Sequence, residues 1–202
     1  MAGDDICDKG NGMKLFRLAI LPLALIASPS FASEYDAAMK AYLDSAIRTW
    51  AEDPVLVAAI NSANAERAGF DQAKIDSLDT AWRAEVGQTE TPTITPVMAN
   101  AAADFLRAQV EGSGGKITEV FVTDNVGLNV AVSAPTSDMW QGDEEKFSNV
   151  FPVGKDAVVF GEIELDESTQ TYQGQISIAI TDPATSQVIG TMTIGVNAEA
   201  LM

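Results

Sequence analysis

The sequence predicts an α+β fold in which N-terminal helices pack on a five-stranded antiparallel sheet. Apolar residues recur at three- and four-residue spacing between residues 34 and 111, which is the period of amphipathic helices. The glycine-rich run 112–115 ends this pattern, and beyond it apolar and polar residues alternate, as they do in half-buried strands. Most of the predicted strands are joined by short links, which favours antiparallel pairing.

Two helices are predicted in the first part of the helical half. Asp53 and Pro54 begin the second of them, because aspartate is a favourable N-cap and proline is tolerated at the first helical position. Gly69 is a natural C-terminal residue for that helix. The first helix presents one apolar face, which consists of Tyr35, Met39, Leu43, Ile47 and Trp50.

Two more helices are predicted before the glycine-rich run. Asp71 caps a helix that ends at Gly87. A connector with two prolines follows at residues 91–96, and a last helix is expected over 97–110. Trp82, like the tryptophan of the first helix, recurs with other apolar residues at helical spacing, which favours a core position over a ligand contact.

The sheet half contains five predicted strands rich in β-branched and aromatic residues. Residues 124–127, 166–169 and 182–186 are expected to form the turns between strands. Gly190 and Gly195 lie inside the last strand, where glycine commonly marks a bulge or a close approach by another group. The strands are expected at residues 117–123, 128–133, 157–165, 172–181 and 188–196.

The first 32 residues have the pattern of a removable secretory signal peptide. A basic start at residues 13–17 precedes an apolar run of about ten residues and a small-x-small ending at Ala32. A membrane span needs about 20 apolar residues, so an N-terminal anchor helix is the less favoured alternative. We expect translation to start at Met1 or Met13, cleavage after Ala32, and a single domain over residues 33–202 that is exported to the periplasm without a membrane span.

Charge and residue content argue against several functions. The chain has 12 basic and 29 acidic residues, a net charge of -17, which disfavours nucleic acid and anionic membranes as partners. It has no histidine, which excludes Ser-His-Asp and Cys-His catalysis, and its single cysteine, Cys7, lies in the predicted signal segment. Paired carboxylates could in principle hydrolyse glycosides, but no aromatic-lined cleft pattern accompanies them. We therefore expect no enzyme activity, no cofactor and no bound metal.

A long link at residues 134–156 separates the second and third predicted strands, and such excursions are commonly functional. Within ten residues it offers an indole, an amide, hydroxyls and carboxylates, and small-molecule pockets combine an apolar wall with a few fixed polar groups. The indole suits either a pocket wall or local packing. The candidate ligand contacts in the link are Thr136, Ser137, Asp138, Trp140 and Gln141.

Several stretches of the sheet half share one family pattern. They are residues 117–124, 127–130, 136–144, 166–169, 180–183 and 189–196. The most specific is 136–144, which reads Thr-Ser-Asp-Met-Trp-Gln-Gly-Asp-Glu. On these residues, and in its layout of long helices followed by strands, the chain resembles extracytoplasmic Cache-type sensor domains with a PAS-like fold. The resemblance covers about residues 34–202 and is to the stand-alone periplasmic form.

The resemblance carries functional expectations. It implies a small metabolite bound between the sheet and the link 134–156, and action through a partner such as a membrane signalling protein. It also implies that two chains could pair through their N-terminal helices. Tyr172 of the fourth predicted strand and Asp182, which directly follows that strand, join the candidate contacts, although Asp182 precedes Pro183 and also suits a turn.

Two other interpretations remain open. The chain could be a ligand-free envelope interaction module that binds a partner through its acidic surface or a sheet edge. The oxygen ligands of Asp138, Asp143, Glu144 and Glu145 could also bind a cation such as calcium. Their spacing does not match an EF-hand loop, and acidic residues are favoured at the start of a helix in any case.

Overall fold

Helices and strands follow one another in the predicted order, which confirms the α+β class. The structure is a computed structural model that describes residues 31–166 and 171–202. The predicted signal segment before residue 31, with Cys7, and most of the predicted turn 166–169 lie outside the described residues. The helices are α1 (Phe31–Ser45), a 3-10 turn (Ile47–Thr49), α2 (Pro54–Glu66), α3 (Gln72–Glu85), α4 (Ile94–Met98), α5 (Ala101–Gly112), α6 (Glu145–Ser148) and α7 (Ala198–Leu201).

Side-chain caps fix where the main helices begin. Asp53 accepts a hydrogen bond from the Val55 amide at 2.9 Å and Asp71 one from the Lys74 amide at 2.9 Å, so both predicted N-caps are confirmed. The helix predicted over 97–110 is wrong at its start. Asn100 caps α5 by accepting from the Ala103 amide at 2.9 Å, which separates α5 from the short helix α4.

The sheet is antiparallel and has the strand order β2-β1-β6-β5-β3, with β4 also paired to β5. The predicted third strand is divided into β3 and β4. Phe160 pairs with Ile176 and Glu164 with Gln173. Four residue steps from β3 to β4 therefore lie opposite three steps of β5, so the β3–β4 side has one extra residue, as in a β-bulge. The strands are β1 (Ile117–Thr123), β2 (Asn129–Val132), β3 (Val158–Phe160), β4 (Glu164–Asp166), β5 (Thr171–Asp182) and β6 (Gln187–Asn197).

One face of the sheet forms the main core with the helices. The predicted alternation along the fourth strand is confirmed, because alternate residues of β1, β5 and β6 are buried against α1, α2 and α5. Trp50 packs at the edge of this core with its ring centroid 6.2 Å from that of Phe105. The buried strand residues of the core include Val120, Val122, Ile176, Ile178, Ile180, Met192, Ile194 and Val196.

A second apolar cluster joins α3 and α4 to β1 and β2. Trp82 is fully buried there with Phe121, Leu128 and Met139, which confirms its predicted core position. The turn between β1 and β2 is tied to α2 by Asp124, whose fully buried carboxylate lies 2.7 Å from the guanidinium of Arg67.

The opposite face of the central strands is polar. Thr123 and Thr191 share a hydroxyl hydrogen bond of 2.7 Å, and Ser177 and Thr193 one of 3.0 Å. All four side chains are buried. Among the described residues, no helix combines the length and apolar character that a membrane crossing requires.

Candidate functional site

The predicted contact residues of the link bond mainly to one another. The Thr136 hydroxyl donates to the Asp138 carbonyl at 2.6 Å, and the Gln141 amide donates to the carboxylate of the same aspartate. Asn129 donates to the Thr136 hydroxyl at 2.8 Å. These four side chains are buried, whereas Ser137 is exposed. A ligand would therefore have to displace existing hydrogen bonds to reach them.

Helix α3 holds this part of the link in place. Asp79 accepts from the backbone amides of Met139 and Trp140 at 2.9 and 3.0 Å, and the Trp82 indole donates to the Thr136 carbonyl at 2.8 Å. Arg83 donates to Asp79 at 2.7 Å and to Asp138 at 3.4 Å. The segment 136–141 is thus docked on α3 by both backbone and charged groups.

Trp140 packs locally. Its indole N–H donates to the Val126 carbonyl at 2.8 Å, and its ring covers Gly142 so closely that a Cβ on that glycine would overlap the indole. The side chain therefore fastens the link to the β1–β2 turn. Its role as a ligand contact stays a prediction.

Tyr172 and Asp182 lie near opposite ends of β5. Ten residue steps separate them, which corresponds to about 33 Å along a strand. Tyr172 is exposed beside Tyr35 of α1, whereas Asp182 accepts from the Asn61 side chain at 3.2 Å and from the Ala184 amide at 2.8 Å. The structure does not bring these two residues together with each other.

A groove does lie between the sheet and the link, but at residues 143–146 of the link. We call it the sheet-face groove; its volume is about 620 Å³. A neighbouring groove of about 340 Å³ shares residues 161, 162 and 175 with it and extends to Glu119 and Gly195. The sheet-face groove is lined by Asp143, Glu144, Glu145, Lys146, Val159, Phe160, Gly161, Glu162, Gln175 and Ser177.

Lys146 places a positive charge on the polar face of the sheet. Its ammonium lies 2.9 Å from the Glu144 carboxylate and 5.3 Å from the centroid of the Phe121 ring, within the range of a cation–π interaction. The side chain is 19% exposed. Lys146 therefore anchors the link over β1, and its charge is already compensated by a neighbouring carboxylate.

Glu119 of β1 lies flat on the same face of the sheet. A Cβ on Gly195 would come within 2.7 Å of the Glu119 Cγ, so the glycine makes room for this side chain. Gly190 makes room in the same way for the Thr123 carbonyl, and the predicted close approaches at both glycines are confirmed. Burial raises the pKa of Glu119, while the charge of Lys146 acts in the opposite direction.

Carboxylates dominate the electrostatics of the two connected grooves. Asp143, Glu144, Glu145 and Glu162 line the sheet-face groove together with a single lysine, which is paired. Glu119 and Glu164 add two more carboxylates in the neighbouring groove. Such a surface attracts cationic groups and repels anionic ones. The hydroxyl of Ser177 and the amide of Gln175 supply neutral hydrogen-bonding groups.

None of the seven individually named candidate contacts lines these two grooves. Glu119 shares the strand face of Phe121 and Thr123, opposite to Val120 and Val122, so alternation could have indicated a carboxylate on the face that the helices leave uncovered. Lys146 follows directly on an acidic run within the link. Tertiary packing decides which part of the link crosses the sheet, and no local sequence pattern indicates it.

Two of the four suggested cation-binding carboxylates are engaged by other side chains. Asp138 is engaged by Gln141 and Arg83, and Glu144 by Lys146. Within residues 31–166 and 171–202, no group of three or more acidic, cysteine or histidine side chains is arranged to hold a metal ion.

Comparison with known proteins gives structural neighbours alone: no family model and no curated protein matches the chain. It is similar to the sensor domain of the V. cholerae histidine kinase DctB, with 15% identity over 84% of this chain and 54% of that one and a TM-score of 0.47. The E. coli DcuS sensor domain matches with 13% identity over 84% of this chain and 95% of that one, also at 0.47. The ligand-binding domain of the Campylobacter jejuni chemoreceptor Tlp3, solved with 4-methylisoleucine, matches with 14% identity over 91% and 65% at 0.39.

The chain spans about half to two thirds of the length of the DctB and Tlp3 structures. The neighbours are sensor domains of histidine kinases and chemoreceptors, which is the class of domain that the sequence resembles.

Proposed function

We propose that the chain is a ligand-binding sensor domain that holds a small molecule in the sheet-face groove and acts through a partner protein. The observation that carries this proposal is the groove itself, which lies between the polar sheet face and residues 143–146 of the link. Its volume of about 620 Å³ falls within the range of about 300–1,000 Å³ that is typical of small-molecule sites.

The lining of the groove indicates the chemistry of the ligand. Four carboxylates face one compensated lysine, so a ligand that carries an amine gains Coulomb attraction and a dicarboxylate meets repulsion. Gln175 and Ser177 can accept hydrogen bonds from an ammonium group. We expect amines and other cationic compounds to bind more tightly than organic acids.

The proposal includes the setting expected from the sequence. Residues 33–202 form one non-catalytic domain, exported to the periplasm after the first 32 residues are removed. Its output runs through a membrane signalling protein, and two chains pair through their N-terminal helices. N-terminal sequencing of the protein recovered from the periplasm tests the cleavage after Ala32.

Thermal-shift screening of the exported protein tests ligand binding. The probes are a panel of amines, amino acids and dicarboxylates. A compound present at about 100 times its dissociation constant adds about 2.7 kcal/mol to the free energy of unfolding. We expect a saturable rise in melting temperature with at least one amine and none with the dicarboxylates.

A matched pair of charge reversals locates the binding site. Glu145→Arg places a cation in the sheet-face groove and should abolish the response to amines. Glu66→Arg makes the same charge change on an exposed position of α2 and should leave the response intact. If no compound raises the melting temperature, the ligand-free interaction module becomes the better account of the chain. If both variants respond equally to an amine, the ligand binds outside the sheet-face groove and the proposed site is wrong.

A further inference from the structure

A third groove lies beside the N-terminal part of α1, on the helix-facing side of the sheet. Alternation along β5 places Tyr172 on the same side as the core residue Ile176, yet Tyr172 is 45% exposed. Its cross-strand neighbour Leu165 is 46% exposed. We call this the α1–β5 groove; it has a volume of about 700 Å³, and its lining includes Tyr35, Asp36, Phe160 and Glu162.

The apolar floor of the α1–β5 groove is fixed by close packing. Ile163, from the bulge between β3 and β4, lies directly over Gly174. A Cβ on Gly174 would come within 2.5 Å of the Ile163 Cδ1 and 3.0 Å of the Met39 sulfur of α1. The absence of a side chain at Gly174 therefore lets β5, the bulge and α1 pack together, and this packing forms the floor of the groove.

The rim of the groove is acidic and lies at an edge of the sheet. Asp36 and Glu162 line the groove. Within residues 31–166 and 171–202, β4 pairs with β5 alone. An apolar slot rimmed by carboxylates has the complementary shape and charge for an apolar side chain with basic neighbours.

We propose that the α1–β5 groove docks a segment of a partner protein that carries an apolar anchor side chain flanked by lysine or arginine. Tyrosine and other aromatic residues are enriched where such anchors bind, and rim charges steer the approach of the partner. A second copy of this chain is a poor occupant. A two-fold interface centred on this groove would bring Asp36 and Glu162 of the two copies together.

Fluorescence anisotropy with a labelled peptide tests the docking site. The probe alternates lysine with leucine and phenylalanine, and a matched peptide has glutamate in place of lysine. We expect saturable binding of the lysine peptide to the full chain, weakened by salt, and no binding of the glutamate peptide. Tyr172→Ser should weaken binding about tenfold or more, as expected when an interface anchor is lost.

Val153→Ser is the matched control, because Val153 is an apolar side chain that is 69% exposed in the link. It should leave peptide affinity unchanged. Equal binding to Tyr172→Ser and wild type, or no binding to either, overturns the proposal. A concentration-dependent dimer that Tyr172→Ser abolishes in sedimentation would show that a second copy occupies the groove instead. Tyr172→Ser should keep any thermal response to amines, which separates this interaction from the sheet-face groove.

Discussion

Glu119 is a partly buried acid whose pKa differs from that of an exposed glutamate. Its carboxylate lies partly buried over Gly195, and burial raises its pKa because the charged form loses hydration. Lys146 acts against this shift, but its ammonium lies 2.9 Å from Glu144 and is shared between the two acids. A carboxylate that is only partly compensated is well suited to meet the ammonium of a ligand.

The raised pKa of Glu119 predicts a pH-dependent effect of removing the charge. Above the ordinary glutamate pKa of about 4.3, the folded state holds this proton more tightly than the unfolded chain, so the contribution of Glu119 to stability falls as pH rises through the raised pKa. Glu119→Gln cannot ionise. It should therefore unfold at higher urea concentration than wild type at pH 7 and show no such advantage near pH 4.

The control for this prediction is Glu66→Gln on an exposed position of α2. It should follow the wild-type profile at both pH values. A constant difference between Glu119→Gln and wild type from pH 4 to pH 7 would show that the effect comes from packing, and that the charge of Glu119 is not involved.

Two residues that begin helices were predicted correctly, whereas the candidate ligand contacts stay predictions. Asp53 and Asp71 cap helices as expected, because a cap depends on three or four neighbouring residues. The segment 136–141 carries pocket-like chemistry, but Asp79 and Arg83 from α3 engage it instead. That contact spans about 55–60 residues of sequence, and no local pattern encodes it.

At the scale of elements, the link and the β1–β2 turn meet through two glycines. Gly127 has φ +87°, and a Cβ at this position would come within 2.6 Å of the Gly142 Cα. The same close approach lets the backbone N–H of Gln141 donate to the Gly127 carbonyl at 2.8 Å. Since the sheet-face groove begins one residue beyond Gly142, this contact sets where the link leaves the turn and enters the site.

Gly127→Ala should separate the link from the turn. Alanine is strained at positive φ by about 1–3 kcal/mol, and overlap with Gly142 adds about 1–3 kcal/mol more. Gly114→Ala provides the matched control, because Gly114 has φ +64° but nothing within 4 Å of its Cβ position. Urea unfolding should show a larger loss of stability for Gly127→Ala.

Hydrogen exchange provides the second measurement for Gly127→Ala. The backbone N–H of Gln141 should lose its protection from exchange in Gly127→Ala and keep it in Gly114→Ala, because its hydrogen bond to the Gly127 carbonyl depends on the close approach of the two glycines. Equal stability losses with unchanged Gln141 protection would mean that the link tolerates the extra methyl group.

Element boundaries show how far periodicity extends as a predictor. The change from helical to alternating spacing at residues 112–115 correctly divides the helices from the sheet. The division of the third predicted strand into β3 and β4 was missed. The bulge becomes visible only when the pairing of residues 158–166 with β5 is known, and that pairing is non-local.

For the whole molecule, the α+β layout was predictable because each half has its own hydrophobic period. The helices cover one face of the sheet with a continuous apolar core, and the other face is polar at its centre. The predicted location of a pocket between sheet and link corresponds to an observed groove, but the groove uses the later part of the link. Carboxylates line both the sheet-face groove and the α1–β5 groove.

The net charge of -17 predicts that salt stabilises the protein. Like charges repel one another in the compact state, and at an ionic strength of about 0.1 M charges more than about 10 Å apart are largely screened. The melting temperature should therefore rise between about 10 and 300 mM NaCl. The partly buried Arg67–Asp124 pair is protected from this screening and does not reverse the trend. Magnesium chloride at matched ionic strength should give the same rise if screening is the cause, whereas a melting temperature that falls with NaCl would show that attractive surface pairs outweigh the repulsion.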